Sequence, residues 1–175
     1  MLSPEDGYRS RNRRWYCAAF PCRYTRDRAA QLAVREMAET EAAGLIEVIG
    51  TNNQELAYII RGSYHPTETN FLTPPELKQQ VGYIVYSAGA EIQRHSHRAI
   101  KRQIIGTSEV LVIKSGRCLI DIYGDEQQLI ATRELGVGDV VLLVGGGHGF
   151  RMLENTVLLE IKQGPYTGLD EKERF

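Results

Sequence analysis

The region after residue 44 is dominated by short runs of β-branched and aromatic residues separated by residues that favour turns. Runs of this length and composition are typical of β-strands, and the Gly, Asn and Pro residues between them mark the connections. The predicted strands cover 45–49, 55–61, 81–86, 91–97, 110–114, 117–123, 128–134, 140–144, 149–153 and 156–162. Many short strands at this spacing indicate a sandwich or a closed jelly roll, so we predict an all-β domain over residues 45–168.

Residues 1–44 have a different character from the rest of the chain. Between Gly7 and Arg35 there are eight arginines and a single acid, Asp27. The alanine, leucine and glutamate content predicts one helix over about 27–43, with Gly44 as its end. This basic N-terminal extension could be a docking arm, a targeting presequence, or translated sequence upstream of a native start at Met37. A polar C-terminal tail is predicted over 169–175.

Length and charge restrict the classes of protein to which this chain could belong. The 175 residues are enough for one modest domain with an extension, and the formal net charge is −1. A charge so close to zero argues against a nucleic-acid partner or a membrane surface for the whole chain. No apolar run approaches the length that spans a bilayer. The three cysteines are odd in number and lack a CxxC spacing, which favours free thiols and a cytoplasmic location.

Three of the four histidines lie in two segments that are well separated in sequence. On the predicted strand 91–97, His95 and His97 share one face because side chains alternate along a strand. Glu109 stands near the start of the next strand, and His148 lies in a glycine-rich turn further along. Imidazole nitrogens with one carboxylate suit Fe, Mn, Ni, Co, Cu or Zn. We therefore predict that His95, His97, Glu109 and His148 bind one divalent transition metal of unassigned identity.

The spacing of these residues resembles the two sequence motifs of the cupin superfamily. The matching positions are Gly89, His95, His97, Glu109 and Gly116 in the first motif, and Gly138, Gly145 and His148 in the second. Between His97 and Glu109, eleven residues stand where three or four are usual. Leu143 and Met152 replace the usual Pro and Asn of the second motif.

The resemblance implies a specific all-β architecture, the cupin double-stranded β-helix or jelly-roll barrel. The chain is also similar to small single-domain metal-binding cupins of the WbuC type, which accompany bacterial surface-polysaccharide genes. This similarity implies a sugar-related ligand and a homodimer.

Five further residues are candidates for a substrate pocket. Arg102 could bind a carboxylate or a phosphate with its planar guanidinium, although a basic run such as 98–102 is usually a solvated face. The aromatic candidates could line a cavity or fill the core. The complete set is Tyr83, Gln93, Arg102, Tyr123 and Phe150.

Three functions are compatible with these features. The leading hypothesis is a metalloenzyme, either an oxygenase or a metal-assisted isomerase, that acts on a small polar metabolite. The second is a metal-independent sugar epimerase or ketoisomerase, in which His95 or His97 abstracts a proton and Tyr123 returns it. The third is a non-enzymatic ligand-binding or sensing module.

Overall fold

The computed structural model describes residues 44–51, 54–165 and 172–175. All of them belong to one compact unit, Glu39–Phe175. The N-terminal extension with its predicted helix over 27–43 lies outside the described residues, as do residues 169–171 of the predicted tail.

The described residues form strands and no helix, which confirms the prediction of an all-β fold. The ten strands are β1 (Ile46–Thr51), β2 (Gln54–Ile60), β3 (Asn70–Phe71), β4 (Gly82–Tyr83), β5 (Glu109–Ser115), β6 (Cys118–Tyr123), β7 (Leu129–Leu135), β8 (Val140–Leu143), β9 (Gly147–Met152) and β10 (Val157–Lys162). All strand pairs are antiparallel. Nor do these ranges contain a helix long and apolar enough to cross a membrane.

Eight of the strands form two sheets between which the chain passes repeatedly. The larger sheet has the order β1-β2-β8-β5-β10, the smaller has the order β7-β6-β9, and β3 and β4 form a separate hairpin. From β5 onward the chain enters the smaller sheet for β6 and β7, returns for β8, crosses for β9 and returns for β10. The described strands form two open sheets and no closed barrel, so β9 and β10 are edge strands.

The hydrophobic core lies where the inner faces of the two sheets meet. In β6 the alternate residues Cys118, Ile120 and Ile122 are fully buried. They belong to one cluster with residues of the larger sheet: Ile49, Leu56, Ala57, Ile59, Leu111, Ile113, Val141 and Leu143. Because alternate residues of each strand enter one shared core, the two sheets pack face to face.

The turn between β5 and β6 requires glycine at residue 116. Gly116 has a φ of +78°, in the left-handed region that residues with a Cβ rarely adopt. A Cβ at this position would also collide with the backbone carbonyl oxygen of Asn155. This turn carries the chain from the larger sheet to the smaller one, so Gly116 helps to set the arrangement of the sheets.

The segment between β4 and β5 departs from the prediction. Residues 84–108 contain no strand, so the predicted strand over 91–97 is wrong, and the one predicted over 81–86 is reduced to Gly82–Tyr83. One face of 91–97 would carry Ile92 with Arg94 and Ser96, and the other would carry only polar side chains. Neither face offers an apolar surface to bury, and burial of one face is what stabilises most strands.

Candidate functional site

Glu109 and His148 come from different sheets and meet at one end of the core. Glu109 is the first residue of β5, on the same face as the core residues Leu111 and Ile113. His148 is the second residue of β9 and lies opposite the core residue Ile122 in the register of β6 and β9. The Nε2 atom of His148 is 3.2 Å from Oε2 of Glu109. The packing of the two sheets thus creates a carboxylate–imidazole pair.

Lys162 orients the carboxylate of this pair. It lies opposite Glu109 in the register of β10 and β5, and its Nζ is 3.6 Å from Oε1 of Glu109. The same Nζ is 3.0 Å from Oε1 of Glu160. One oxygen of Glu109 therefore faces an ammonium group while the other faces His148. Lys162 and His148 thereby hold the carboxylate of Glu109 in one orientation, as hydrogen-bonding neighbours do for carboxylates that bind a ligand.

The surroundings of His148 favour its neutral form. Burial lowers the pKa of His148 below its ordinary value of 6.5. The charge of Glu109 acts in the opposite direction, and the positive charge of Lys172 adds to the lowering. A neutral imidazole has a free lone pair, so His148 is suited to accept a proton or to bind a cation.

Phe150 lies on the same face of β9 as His148. The centroids of the two rings are 6.0 Å apart, with the planes at 71°. Phe150 also packs against the buried core cluster. It therefore forms an apolar wall on one side of the imidazole.

Tyr123 lies on the other face of the smaller sheet. It follows the core residue Ile122 on β6 and lies opposite Gly147 of β9. Because side chains alternate along a strand, Tyr123 faces away from the side on which Ile122 and His148 lie. Its ring contacts that of Phe175 edge to face, with the centroids 5.2 Å apart.

The other two predicted ligands lie in the exposed segment 84–108. The rings of His95 and His97 contact each other edge to face at a centroid distance of 5.3 Å. Nδ1 of His95 is 2.9 Å from the carbonyl oxygen of Gln93. Within the described ranges, no three His, Cys, Asp or Glu side chains are grouped so that they could hold a metal ion. The structure thus brings together Glu109 and His148 but does not add His95 and His97 to them.

The remaining pocket candidates lie on other elements. Gln93 and Arg102 are exposed in the same segment as His95 and His97. Tyr83 belongs to β4, where its ring contacts that of Tyr64 at a centroid distance of 5.3 Å and where burial raises its pKa. Of the five candidates, Phe150 is the one that the structure places in ring contact with His148.

Sequence reasoning missed Lys162, which lies beside the pair, and Lys172, whose positive charge lowers the pKa of His148. For Lys162 a signal was present, because alternation along β10 puts Leu158, Glu160 and Lys162 on one face. Leu158 packs against the core, and the side chain of Lys162 on the same face is only 16% exposed, whereas that of Glu160 between them is 42% exposed. For Lys172 the sequence contains no comparable signal, since the amino acids at 163–175 do not alternate between apolar and polar.

Comparisons with known proteins give no relative on which an assignment could rest. No protein-family model, curated protein or solved structure matches this chain. The function has to be argued from the residues themselves.

Proposed function

We propose that this protein is a metal-binding cupin in which Glu109 and His148 form a preformed half of the metal site. The observation that carries the proposal is the 3.2 Å contact between the imidazole of one sheet and the carboxylate of the other. Nitrogen and oxygen ligands lie about 2.1 Å from a transition-metal ion. Two such atoms on one ion are therefore about 3 Å apart, which is the spacing observed here. His95 and His97 are proposed as the other half, contributed by the segment 84–108.

The order of the strands supports a jelly-roll architecture for this proposal. The repeated crossing of β5 to β10 between two antiparallel sheets is the kind of connection that a jelly roll requires. β9 is an edge strand, with β6 on one side only. Closure of the segment 84–108 over this end of the core would bring His95 and His97 to the sheet that carries His148.

The residues of the pair fit a divalent transition metal in their chemistry. His148 has the neutral imidazole that ligation requires, and Lys162 and His148 orient the two oxygens of Glu109. A bound ion of this type would supply Lewis-acid polarisation or dioxygen activation. Phe150 would limit water at the site, and Arg102 would bind an acidic group of the substrate if the segment 84–108 closes over it.

The reaction proposed for this site is oxygenation or metal-assisted isomerisation of a small polar metabolite. A sugar-related substrate, a homodimer and a cytoplasmic location are proposed from the cupin resemblance and from the cysteine content.

Metal content tests this proposal directly. The full chain is purified without a metal-affinity step, reconstituted anaerobically and analysed by plasma mass spectrometry. We expect a near-stoichiometric transition metal that is lost in His148→Ala and in the double variant His95→Ala/His97→Ala, and that is reduced in Glu109→Gln. His65→Ala is the matched control, because His65 is the one histidine outside the proposed site.

The outcomes separate the two halves of the proposed site. An absence of metal in the wild-type protein after reconstitution would overturn the proposal. Metal that is lost in His148→Ala but retained in the double variant would contradict the role of the exposed segment.

The same contact also favours a second function, proton transfer without a metal. In this version His148 takes a proton from the carbon next to the carbonyl group of a keto-sugar and then returns it to the enolate, and Glu109 stabilises the imidazolium between the two transfers. The base is His148, whereas the sequence pointed to His95 or His97. Tyr123 is not its acid partner, because it faces the opposite side of the smaller sheet. Isomerisation that resists chelators, disappears in His148→Gln and persists in His95→Ala/His97→Ala would establish it.

A further inference from the structure

The strand β10 is the last strand of the larger sheet, and among the described residues only one of its sides is paired. The paired side faces β5. An edge strand leaves every second backbone N–H and C=O group without a partner, so it can pair with a strand of another chain. The free side of β10 offers a row of such groups.

The side chains on the outer face of β10 are all apolar. Val157, Leu159 and Ile161 are alternate residues of the strand, and they are 57%, 48% and 51% exposed. The residues between them include Leu158 and Lys162, which lie on the side of the core and of Glu109. The outer face of β10 therefore carries no charge that would oppose a second strand.

The exposed residues of β10 continue an apolar surface that crosses the larger sheet. Leu159 and Ile161 lie opposite Val112 and Val110 of β5. The surface continues on β8 and β2 through residues that are buried but do not belong to the core cluster: Leu142, Tyr58 and Ile60. The outer face of the larger sheet is thus buried at its centre and becomes exposed at β10.

The other edge strands of the two sheets are less suited to pairing. β7 carries the charged residues Arg133 and Glu134, and β9 carries Arg151 on its outer face. Charges on an edge strand oppose the addition of another strand. β1 exposes one large apolar side chain, Val48, whereas β10 exposes three. Of the edges that the structure describes, β10 offers the most apolar surface.

Two antiparallel copies of β10 complement each other in one register about a twofold axis. With Leu159 on the axis, Leu159 lies opposite its own copy, and Val157 of each protomer lies opposite Ile161 of the other. Each of the three residues then has an apolar neighbour across the pair. A register with Glu160 on the axis would place two carboxylates opposite each other, which is unfavourable. A shift in the other direction would place Ile161 opposite the polar Asn155.

We propose that a second copy of this chain pairs with the free side of β10, so that the larger sheets of two protomers join into one sheet with Leu159 on the twofold axis. This pairing gives the proposed homodimer a defined surface, but it rests on the free edge and not on the metal site. β10 also carries Lys162, whose Nζ is 3.6 Å from Oε1 of Glu109. The association therefore holds in place the strand that orients the Glu109 carboxylate.

Sedimentation equilibrium of the full chain without added metal tests the pairing. An interface of one strand from each protomer is small, so we expect a dissociation constant of about 1–100 µM. Leu159→Lys should raise this constant at least about 100-fold, because each protomer loses a leucine from the interface and two ammonium groups then lie opposite each other.

Val48→Lys is the matched control for this variant. Val48 has a similar exposure, 52%, on the outer face of β1 at the other edge of the same sheet. The substitution adds the same charge to the same face, so it should leave the dissociation constant unchanged. Thermal melting verifies that both variants are folded.

Cross-linking of single cysteines tests the register. The buried Cys118 is retained, and the other two thiols are removed with Cys17→Ser/Cys22→Ser. A short bifunctional maleimide should join Leu159→Cys to its own copy. It should not join Val157→Cys to its own copy, because these residues are four positions apart along the pair, about 13 Å. A mixture of Val157→Cys and Ile161→Cys should be cross-linked again, since these residues lie opposite each other.

Wild-type protein that stays monomeric throughout this concentration range would overturn the pairing. A monomer is also the result expected if residues 84–86 of the same chain occupied the edge. A dimer that Leu159→Lys leaves intact, or that Val48→Lys weakens equally, would overturn the pairing as well. Efficient cross-linking of Val157→Cys alone would overturn the register. A failure of metal binding leaves these results unaffected, because no metal is present in the assays.

Discussion

The Glu109–His148 end of the sandwich and the segment 84–108 both carry residues of the resemblance to cupins, but they differ in how those residues are supported. Glu109 and His148 are placed by strand registers and by the core residues next to them. His95 and His97 lie in an exposed segment without strand pairing, and their rings contact only each other among the aromatic contacts of the described residues. Of the four residues predicted to bind a metal, only the two whose strands pack on apolar neighbours come into contact with each other across the sheets.

The physical reason lies in the cost of ordering the chain. Fixing the backbone of one residue costs about 1–2 kcal/mol of conformational entropy, which buried apolar area has to offset. β5 and β9 obtain this offset from the shared core. The segment 84–108 has several apolar side chains, but Ile92, Ile100 and Ile105 are exposed. We expect a bound ligand to supply the missing free energy there.

The largest contrast between the two regions is expected for the removal of an isoleucine side chain. Ile120 in β6 is 0% exposed and Ile105 is 88% exposed. Ile120→Ala should lower the free energy of unfolding by about 3 kcal/mol, because it leaves a cavity in the core. Ile105→Ala should change it by less than about 0.5 kcal/mol. Urea unfolding measures both, and equal losses would show that the segment 84–108 belongs to the core.

The two glycines of the first motif provide a matched pair with the next largest effect on stability. Gly116 and Gly89 both have positive φ, so an alanine is strained by about 1–2 kcal/mol at either position. At Gly116 the Cβ also meets the backbone of Asn155, whereas at Gly89 nothing lies within 4 Å. We expect Gly116→Ala to destabilise the protein more than Gly89→Ala in urea unfolding. The reverse order would place Gly89, and not Gly116, at a packed turn.

Limited trypsin digestion compares the regions with and without metal. Among the described residues, cleavage without metal should begin at the exposed sites of the segment, which are Arg94, Arg98, Lys101 and Arg102. Cleavage after Arg133 in β7 should be slower, because this residue is ion-paired with Glu47 and its backbone is in a strand. Metal at about ten times its Kd should slow cleavage of the segment about tenfold, since binding favours the ordered state by mass action.

The digestion is repeated with two different ions and with one variant of a proposed ligand. Mn²⁺ and Zn²⁺ are assayed separately, with peptide mapping to distinguish the cleavage sites. His148→Ala should remove the protection, because it removes a proposed ligand of the ion. Protection that persists in this variant would show that the segment binds the ion without the sandwich.

The smallest expected effect is the dependence of stability on pH. The pKa of folded His148 is lowered below 6.5, so the unfolded chain binds more protons in the window between the folded value and 6.5. The stabilisation from His148 is therefore present above pH 6.5 and is lost as the pH falls through the folded pKa. The stability difference between the metal-free wild-type protein and His148→Gln should shrink on acidification. A difference that grows in urea unfolding at lower pH would mean that the folded state favours the imidazolium.

Several parts of the fold could be predicted because they depend on local pattern. The apolar alternation of residues 110–123 and the glycine at 116 predicted two strands and their turn, and both are observed. The strand over 91–97 was predicted from a pattern of similar length but without an apolar face, and it is wrong. Residues with high β propensity therefore do not form a strand by themselves, because strand pairing is stabilised by burial of an apolar face.

The candidate site was less predictable than the strands. The sequence identified Glu109 and His148 as partners through the motif resemblance, and they are in contact. Alternation along β10 placed Lys162 on the face of Leu158, but it did not indicate that Lys162 would lie opposite Glu109, because packing sets the register of β10 on β5. Nor did the sequence indicate that Phe175 would contact Tyr123 more than fifty residues away.

The sequence by itself determined the all-β class, the approximate strand bounds and the residue types suited to a metal or a proton, because strand periodicity and side-chain chemistry are local properties. Only the tertiary structure decided that Glu109 and His148 meet, that Tyr123 faces away from them, and that the segment of His95 and His97 lies outside the sandwich. These relations depend on which strands pair and which faces are buried. Strand pairing and burial are set by contacts between residues that are far apart in the sequence. A short stretch of sequence therefore does not determine them.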